Sequence, residues 1–286
     1  MKKVLLITSF LFVSVLTAQI NHPKASPSST IIQEVGLTSI QVEYSRPAVR
    51  GRKIFGGLVP YGRIWRAGAN ASTKITFESD VTVGSGFLQK GTYALYAFPE
   101  ESECQIIFHN NTTHWGDGRN NYDPNEDALR IKIVPTKTKS FQENFLISFD
   151  EIQHNSIDLI LSWENTKICI PIKIDTHSLM EAEIENKLAD NPTPQTYYEA
   201  ARYYQEQNIK KETALAYLKT AIEKGGDTYY FHRVKSLVEA DLQDYKSAIA
   251  SAQKSLELAN LEGKDEFVRM NQKNIDFWNQ ILLEKG

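Results

Sequence analysis

The chain has 286 residues, 41% of them hydrophobic and 23% charged, with a formal net charge of −3. That balance is globular: too apolar for a disordered chain, and too acidic overall for a protein built to coat nucleic acid. Its two cysteines, Cys104 and Cys169, are too few for a disulfide framework and lack the spacing of a zinc or redox pair.

The first element is an N-terminal segment with three parts. Met1-Lys2-Lys3 is basic, Val4 to Thr17 is almost wholly apolar, and Ala18 precedes the polar Gln19 and Asn21. This is the layout of a secretory signal peptide, here residues 1–18, with an apolar run too short to span a bilayer comfortably. The expected location is therefore exported, periplasmic or secreted after cleavage. No other stretch is long and apolar enough for a stable membrane span.

From about Thr38 to Asp175 the hydrophobic period is two. Ile40, Val42 and Tyr44 alternate with polar residues; so do Ile75 with Phe77, Val81 with Val83, and Leu129-Ile131-Ile133. Phe145-Ile147-Phe149, Ile157-Leu159-Leu161-Trp163 and Ile168-Ile170-Ile172-Ile174 continue the pattern. Such alternation marks strands with one face on a core. Thr92 to Phe98 is apolar on both sides, which suits a central strand. Turns are expected at Gly84-Ser85-Gly86, Lys90-Gly91, Pro99 and Glu164-Asn165-Thr166. No crossover-length helical pattern separates the strands, so residues 19–176 are predicted to form an antiparallel β-sandwich or jelly roll.

Residues 177–286 change to a helical period. Ser178 with Glu181 reads as a capping box for a helix ending near Ala189. Helices then follow over Gln195–Gln207, Glu212–Lys224, Thr228 to about Leu242, and Tyr245 to about Ala259. Ala214 and Ala248, Leu218 and Ala252, Ala221 and Ser255, and Ile222 and Leu256 are all 34 residues apart. That period describes an all-α, tetratricopeptide-like stack of helical hairpins, with Arg202 where a small residue is usual. A last amphipathic helix, Asp265 to Glu284, is expected to cap it. Tyr197, Tyr198, Tyr203, Tyr204, Tyr217, Tyr229 and Tyr230 are assigned to the inter-helix core rather than to a peptide groove. The stack offers a possible surface for a protein partner.

One segment breaks the alternation. Between Glu43 and Glu78 there is no acidic residue but seven basic ones: Arg46, Arg50, Arg52, Lys53, Arg63, Arg66 and Lys74. The rest of the chain carries 25 basic against 35 acidic residues. A long irregular connection within a domain is usually functional or firmly tied down. Arg46, Arg52 and Arg66 could bind an anion through their guanidinium forks, with Tyr61 and Trp65 as aromatic walls and Asn70 and Thr73 as neutral donors. Phe55 is a further candidate wall. The alternative is a brace, in which these arginines pair with the acidic stretch Asp117 to Asp127.

The run Gly51-Arg52-Lys53-Ile54-Phe55-Gly56-Gly57-Leu58-Val59-Pro60-Tyr61-Gly62, preceded by Ser45-Arg46-Pro47, is followed by Trp65-Arg66-Ala67-Gly68-Ala69-Asn70. It resembles the DUF2911 family of exported proteins from Bacteroidetes and related bacteria. Lys90-Gly91-Thr92-Tyr93, Trp115-Gly116, and Tyr122 with Asp127 resemble the same family, as does the helical tail. The resemblance implies an envelope location and transfers no catalytic residue.

Other constellations are weaker. His109 and His114, with Asp117 and Asp123, could be drawn as metal ligands, but the region reads as an exposed loop with incidental histidines. Asp123-Asn125-Asp127 has alternate oxygen spacing, yet lacks the rest of a calcium loop. Gly84-Ser85-Gly86 reads as a hairpin turn rather than a nucleophile. The cysteines are expected as free thiols. No catalytic residue, metal site or cofactor is assigned. The favoured function is a binding or assembly module for an anionic or aromatic small ligand or a protein partner. A hydrolase of envelope glycan or peptide using Asp117, Asp123, Glu126 or Asp127, and a scaffold without a small-molecule site, are the alternatives.

Overall fold

A computed structural model describes residues 22–116 and 121–285. The signal-like segment and Asp117 therefore lie outside the described residues. The chain divides into two compact units, residues 1–176 and 177–286. Among the described residues, no helix is long and apolar enough to cross a membrane.

Among the described residues, the first unit contains ten strands in two antiparallel sheets. Six strands, β1 (Ser28–Val35), β2 (Thr38–Ser45), β3 (Thr73–Phe77), β6 (Gly91–Pro99), β7 (Cys104–His109) and β8 (Asp127–Ile133), form one sheet in that order. The other has the order β5 (Gly86–Leu88), β4 (Val81–Val83), β10 (Ser156–Ile174), β9 (Thr136–Asp150). Every strand pairing is antiparallel. Gly84 and Ser85 form the tight β4–β5 turn, with Gly84 at φ +59°.

Alternation fixes which side chains enter the core. The Tyr44 ring meets Phe145 edge to face at 5.8 Å, and its hydroxyl donates to the Ile147 carbonyl at 3.1 Å. Ile40 and Val42 share the Tyr44 face of β2, and Val42 faces Ile75 across β3. All three aliphatics are fully buried. On β6, Leu95 belongs to this inner set through its register with Phe108. Ala94 and Tyr96 point the other way, yet they too are fully buried, in a second cluster with Ile107, Ile64 and Phe98. The two-sided apolarity of Thr92–Phe98 thus reflects a sheet whose outer face is also covered.

Two expectations need correction. Glu164-Asn165-Thr166 is not a turn between strands: β10 continues through it to Ile174. Register shifts occur between Ser162 and Glu164 and between Glu164 and Thr166, and Glu164 has φ +50°. A bulge absorbs the polar residues and bends the strand without ending it. Ser178 does not cap the first helix either, because β10 passes through Asp175 directly into α1 (Thr176–Ala189). Glu181 instead accepts hydrogen bonds from Lys210 and, at 3.3 Å, from the Tyr204 hydroxyl.

The second unit continues with α2 (Pro194–Glu206), α3 (Lys211–Glu223), α4 (Tyr229–Asp241), α5 (Tyr245–Leu261) and α6 (Asp265–Lys285). The positions 34 residues apart are buried in both pairs: Ala214 and Ala248, Leu218 and Ala252, Ala221 and Ser255. Small side chains there allow the helices to approach closely. Tyr198, Tyr203 and Tyr204 are core residues, and the Tyr198 ring stacks on Phe231 at 4.5 Å. Ile275 and Trp278 of α6 pack against Ala248 and Ala252.

The capping box lies at α2. The Thr193 hydroxyl accepts from Thr196 N at 3.2 Å, and Thr196 Oγ1 accepts from Thr193 N at 3.2 Å. Thr193→Ala orphans the Thr196 N donor and is expected to cost about 0.5–2 kcal/mol. Denaturant unfolding of the helical unit, followed by circular dichroism, will measure it. An unchanged midpoint would show that water replaces the cap at no cost.

Candidate functional site

The segment between β2 and β3 is irregular but firmly held. Val49 N donates to Glu143 O and Phe145 N to Pro47 O, both at 2.8 Å. Trp65 and Ala97 exchange a pair of backbone hydrogen bonds, each 2.8 Å. Trp65 stacks on Trp163 at 5.8 Å with a 20° interplanar angle, and meets Phe145 and Phe55 edge to face at 5.2 and 5.8 Å. Gly56 has φ +76°, and a Cβ there would lie 2.7 Å from the Tyr61 ring. Part of the glycine and aromatic content therefore serves to fold the segment itself.

What the segment leaves open is a cavity of about 350 Å³. Arg50, Arg52 and Arg66 line it, with Trp65 and Trp163 among its apolar walls. The volume lies within the range of small-molecule sites, roughly 300–1,000 Å³. The brace reading predicted carboxylate partners for the arginines. Among the described residues, no carboxylate forms an ion pair with the guanidinium groups of Arg46, Arg50, Arg52 or Arg63, although Glu143 Oε1 accepts from the Arg50 backbone N at 2.9 Å. Arg52 instead donates to the backbone carbonyls of Val49 at 2.9 Å and Ala48 at 2.6 Å, which fixes its orientation without neutralising it. Arg46 Nε likewise donates to Phe145 O at 3.1 Å.

Of the seven residues proposed for ligand binding, Arg52, Trp65 and Arg66 line this one cavity. The other four are placed elsewhere. Arg46 is engaged with β9. Tyr61 borders a separate small recess. Asn70 Nδ2 donates to Ser26 O and Ser45 Oγ, both at 3.1 Å. The Thr73 hydroxyl is fully buried and donates to Ala67 O at 2.6 Å.

A second cluster forms on the outer face of the six-stranded sheet. Period two places Tyr96, Ile107 and His109 on that face, opposite the inner Leu95, Ile106 and Phe108. His109 ends β7 and, after a register shift following Phe108, pairs with Asp127, the first residue of β8. The loop after His109 folds back over the sheet, held by Gly116 N donating to Asn70 O at 3.1 Å and by an isolated bridge between Ala71 and Trp115. It brings the His114 ring to 5.6 Å from that of His109. A single 3-10 turn, Pro124–Glu126, delivers Glu126 to the same point.

The histidines are therefore not on an exposed loop: His109 is 0% and His114 8% exposed. His109 Nδ1 lies 3.1 Å from Asp127 Oδ1, and its Nε2 lies 3.3 Å from Glu126 Oε2. His114 Nδ1 lies 3.2 Å from the Tyr96 hydroxyl. Asp127 also accepts from the Tyr122 hydroxyl at 2.8 Å and from Arg130 at 2.8 Å. Burial, reinforced by Asp127, pushes the Tyr122 phenol well above its ordinary range. Burial raises Tyr96 as well, with nearby Ser72 and Arg66 opposing it. Arg66 thus belongs to both neighbourhoods.

The remaining candidates separate. Asp123 Oδ1 accepts from Asn125 N and Nδ2, both at 2.9 Å, as the cap of the 3-10 turn, while Asp127 faces His109. The calcium-like triplet therefore does not converge. Cys104 and Cys169 are free thiols. Burial pushes Cys104 up to about 12, and burial with the Asp158 carboxylate pushes Cys169 up to about 11. Glu126, Asp127, Tyr96 and Tyr122 were missed as partners of the histidines. The sequence carried no local signal for them: that Asp127 opens the strand paired with the one carrying His109 is visible only in the fold.

The fold defines a two-sheet β domain followed by a helical unit, with a buried histidine–carboxylate cluster and an arginine-lined cavity on the β domain. The chain belongs to DUF2911, a family described as proteins of unknown function, whose model matches residues 26–172. No curated protein and no solved structure matches it.

Proposed function

We propose that the β domain is a binding module for a small anionic ligand, held in the cavity lined by Arg50, Arg52 and Arg66, and that the chain acts in the cell envelope. One observation carries this reading: three arginines line a cavity of about 350 Å³, and the guanidinium groups of Arg50 and Arg52 have no carboxylate partner among the described residues, Glu143 being taken by the Arg50 backbone N–H at 2.9 Å. An arginine fork can take a carboxylate or phosphate bidentately, and the aromatic floor beneath favours a ligand with a flat or apolar part. The signal-like first residues support the envelope location. The 34-residue register of buried small residues supports a tetratricopeptide-like stack, a scaffold suited to holding a protein partner.

Thermal shift with inorganic phosphate and with short aliphatic and aromatic carboxylates tests the site. A ligand at about 100 times its Kd stabilises by about 2.7 kcal/mol. The expected result is a shift in the wild type that falls sharply in Arg52→Ala and Arg66→Ala. A ligand that stabilises all three proteins equally binds elsewhere and refutes this cavity.

A further inference from the structure

We propose that His109, His114 and Glu126 form a binding site for a divalent transition-metal ion, zinc being the best match. One ligand atom from each of the three lies within 4.8 Å of the others. His109 Nε2 and Glu126 Oε2 are 3.3 Å apart. Two ligand atoms about 2.0–2.1 Å from a tetrahedral ion are about 3.3 Å from each other, so this pair already has the spacing that zinc requires. His114 supplies the third ligand atom, within 4.8 Å of the other two.

The second observation is independent of that spacing. His109 is fully buried, and its Nε2 has no hydrogen-bond partner. A buried, unsatisfied ring nitrogen normally costs stability. Its opposite nitrogen is held by Asp127, itself fixed by Tyr122 and Arg130. A carboxylate on the far ring nitrogen is the usual support of a metal-bound histidine: it sets the tautomer and aims the other lone pair at the ion. Tyr96 stands in the same relation to His114 Nδ1. In the metal-bound form Nδ1–H donates to the phenol oxygen, leaving His114 Nε2 to coordinate.

The donor set selects the class of ion. Two imidazoles and one carboxylate suit zinc, iron, nickel or copper, whereas calcium and magnesium prefer oxygen-only shells. Three protein ligands leave a position for water or an anion, the arrangement of catalytic rather than structural zinc sites. The Glu126 side chain is 41% exposed, which gives the ion a route in from solvent.

The test uses the untagged full chain, stripped with a chelator and titrated with zinc chloride by calorimetry. Cobalt absorption is the second readout, because tetrahedral cobalt gives intense visible bands. The wild type is expected to bind one zinc per chain and to show those bands. Glu126→Ala, at a half-exposed position that keeps the fold, should weaken zinc binding by about 10–100-fold or more, since even supporting residues cost that much. His114→Gln should abolish the cobalt bands. Absence of saturable zinc binding by the wild type, or equal affinity in Glu126→Ala, would overturn the site. Calcium binding in preference to zinc would overturn it as well.

Discussion

Trp163→Ala is expected to destabilise the β unit by about 3–5 kcal/mol, the usual cost of emptying a large aromatic site in a core. Trp163 is 2% exposed and touches two separate pieces of chain, the β2–β3 segment and β9. Its ring stacks on Trp65 and packs against Phe145 at 5.6 Å, and its Nε1 donates to Glu143 O at 3.3 Å. Phe145 is anchored in β9 and Trp65 by its backbone hydrogen bonds to Ala97, so they cannot collapse into the space. The loss should also exceed that of Trp163→Phe, which keeps most of the apolar contact. Chemical denaturation followed by circular dichroism will measure both. A loss below about 1 kcal/mol would mean that the cluster can repack, and that the arginine segment is not anchored through Trp65. Because Trp163 also borders the cavity, the same variant should weaken any ligand that binds there.

Asp127→Ala should have an effect of similar size, from a different source. Asp127 is the shared acceptor for His109, Tyr122 and Arg130. His109 is fully buried and cannot turn to water. The buried His109 and the half-buried Tyr122 each lose an acceptor at about 1–3 kcal/mol, while the part-exposed Arg130 recovers solvent, so the sum is roughly 2–6 kcal/mol. In a domain of this size that lowers the melting temperature by about 2–4 °C per kcal/mol. Scanning calorimetry of the metal-free variant against wild type is the measurement. An unaltered melting temperature would show that the network contributes no stability, and that its carboxylate serves only to orient the histidine.

These two variants also mark where local sequence signals succeed and where they stop. The strands of the sandwich core were legible because period-two burial is a local property: Ile40, Val42 and Tyr44, or Ile168 to Ile174, show it without reference to any partner. The helices were legible for the same reason, since the helical period of apolar residues, and the 34-residue spacing of Ala214 from Ala248 and Leu218 from Ala252, need no knowledge of how the helices pack. Glu164-Asn165-Thr166 misled because turn formers and bulge formers are chemically alike. Only the pairing of β10 with β9 on both sides of the break shows the strand continuing.

The arginine segment was legible as a charge pattern and not as a site. Its seven positive charges could be counted, but whether Arg52 meets a carboxylate or the carbonyls of Ala48 and Val49 depends on how the segment folds against β9. Asn70 and Thr73 illustrate the same limit: both are hydrogen-bonding side chains in the right stretch, and both are consumed in holding it.

By itself, the sequence determined the order of a β domain and a helical unit, the strand faces, and the gathering of positive charge into one connection, because each follows from neighbours a few residues apart. Tertiary structure alone decided that His109, His114 and Glu126 meet over Tyr96 on the outer face of the six-stranded sheet. The β7–β8 register and the returning loop set that meeting, and no spacing along the chain encodes either.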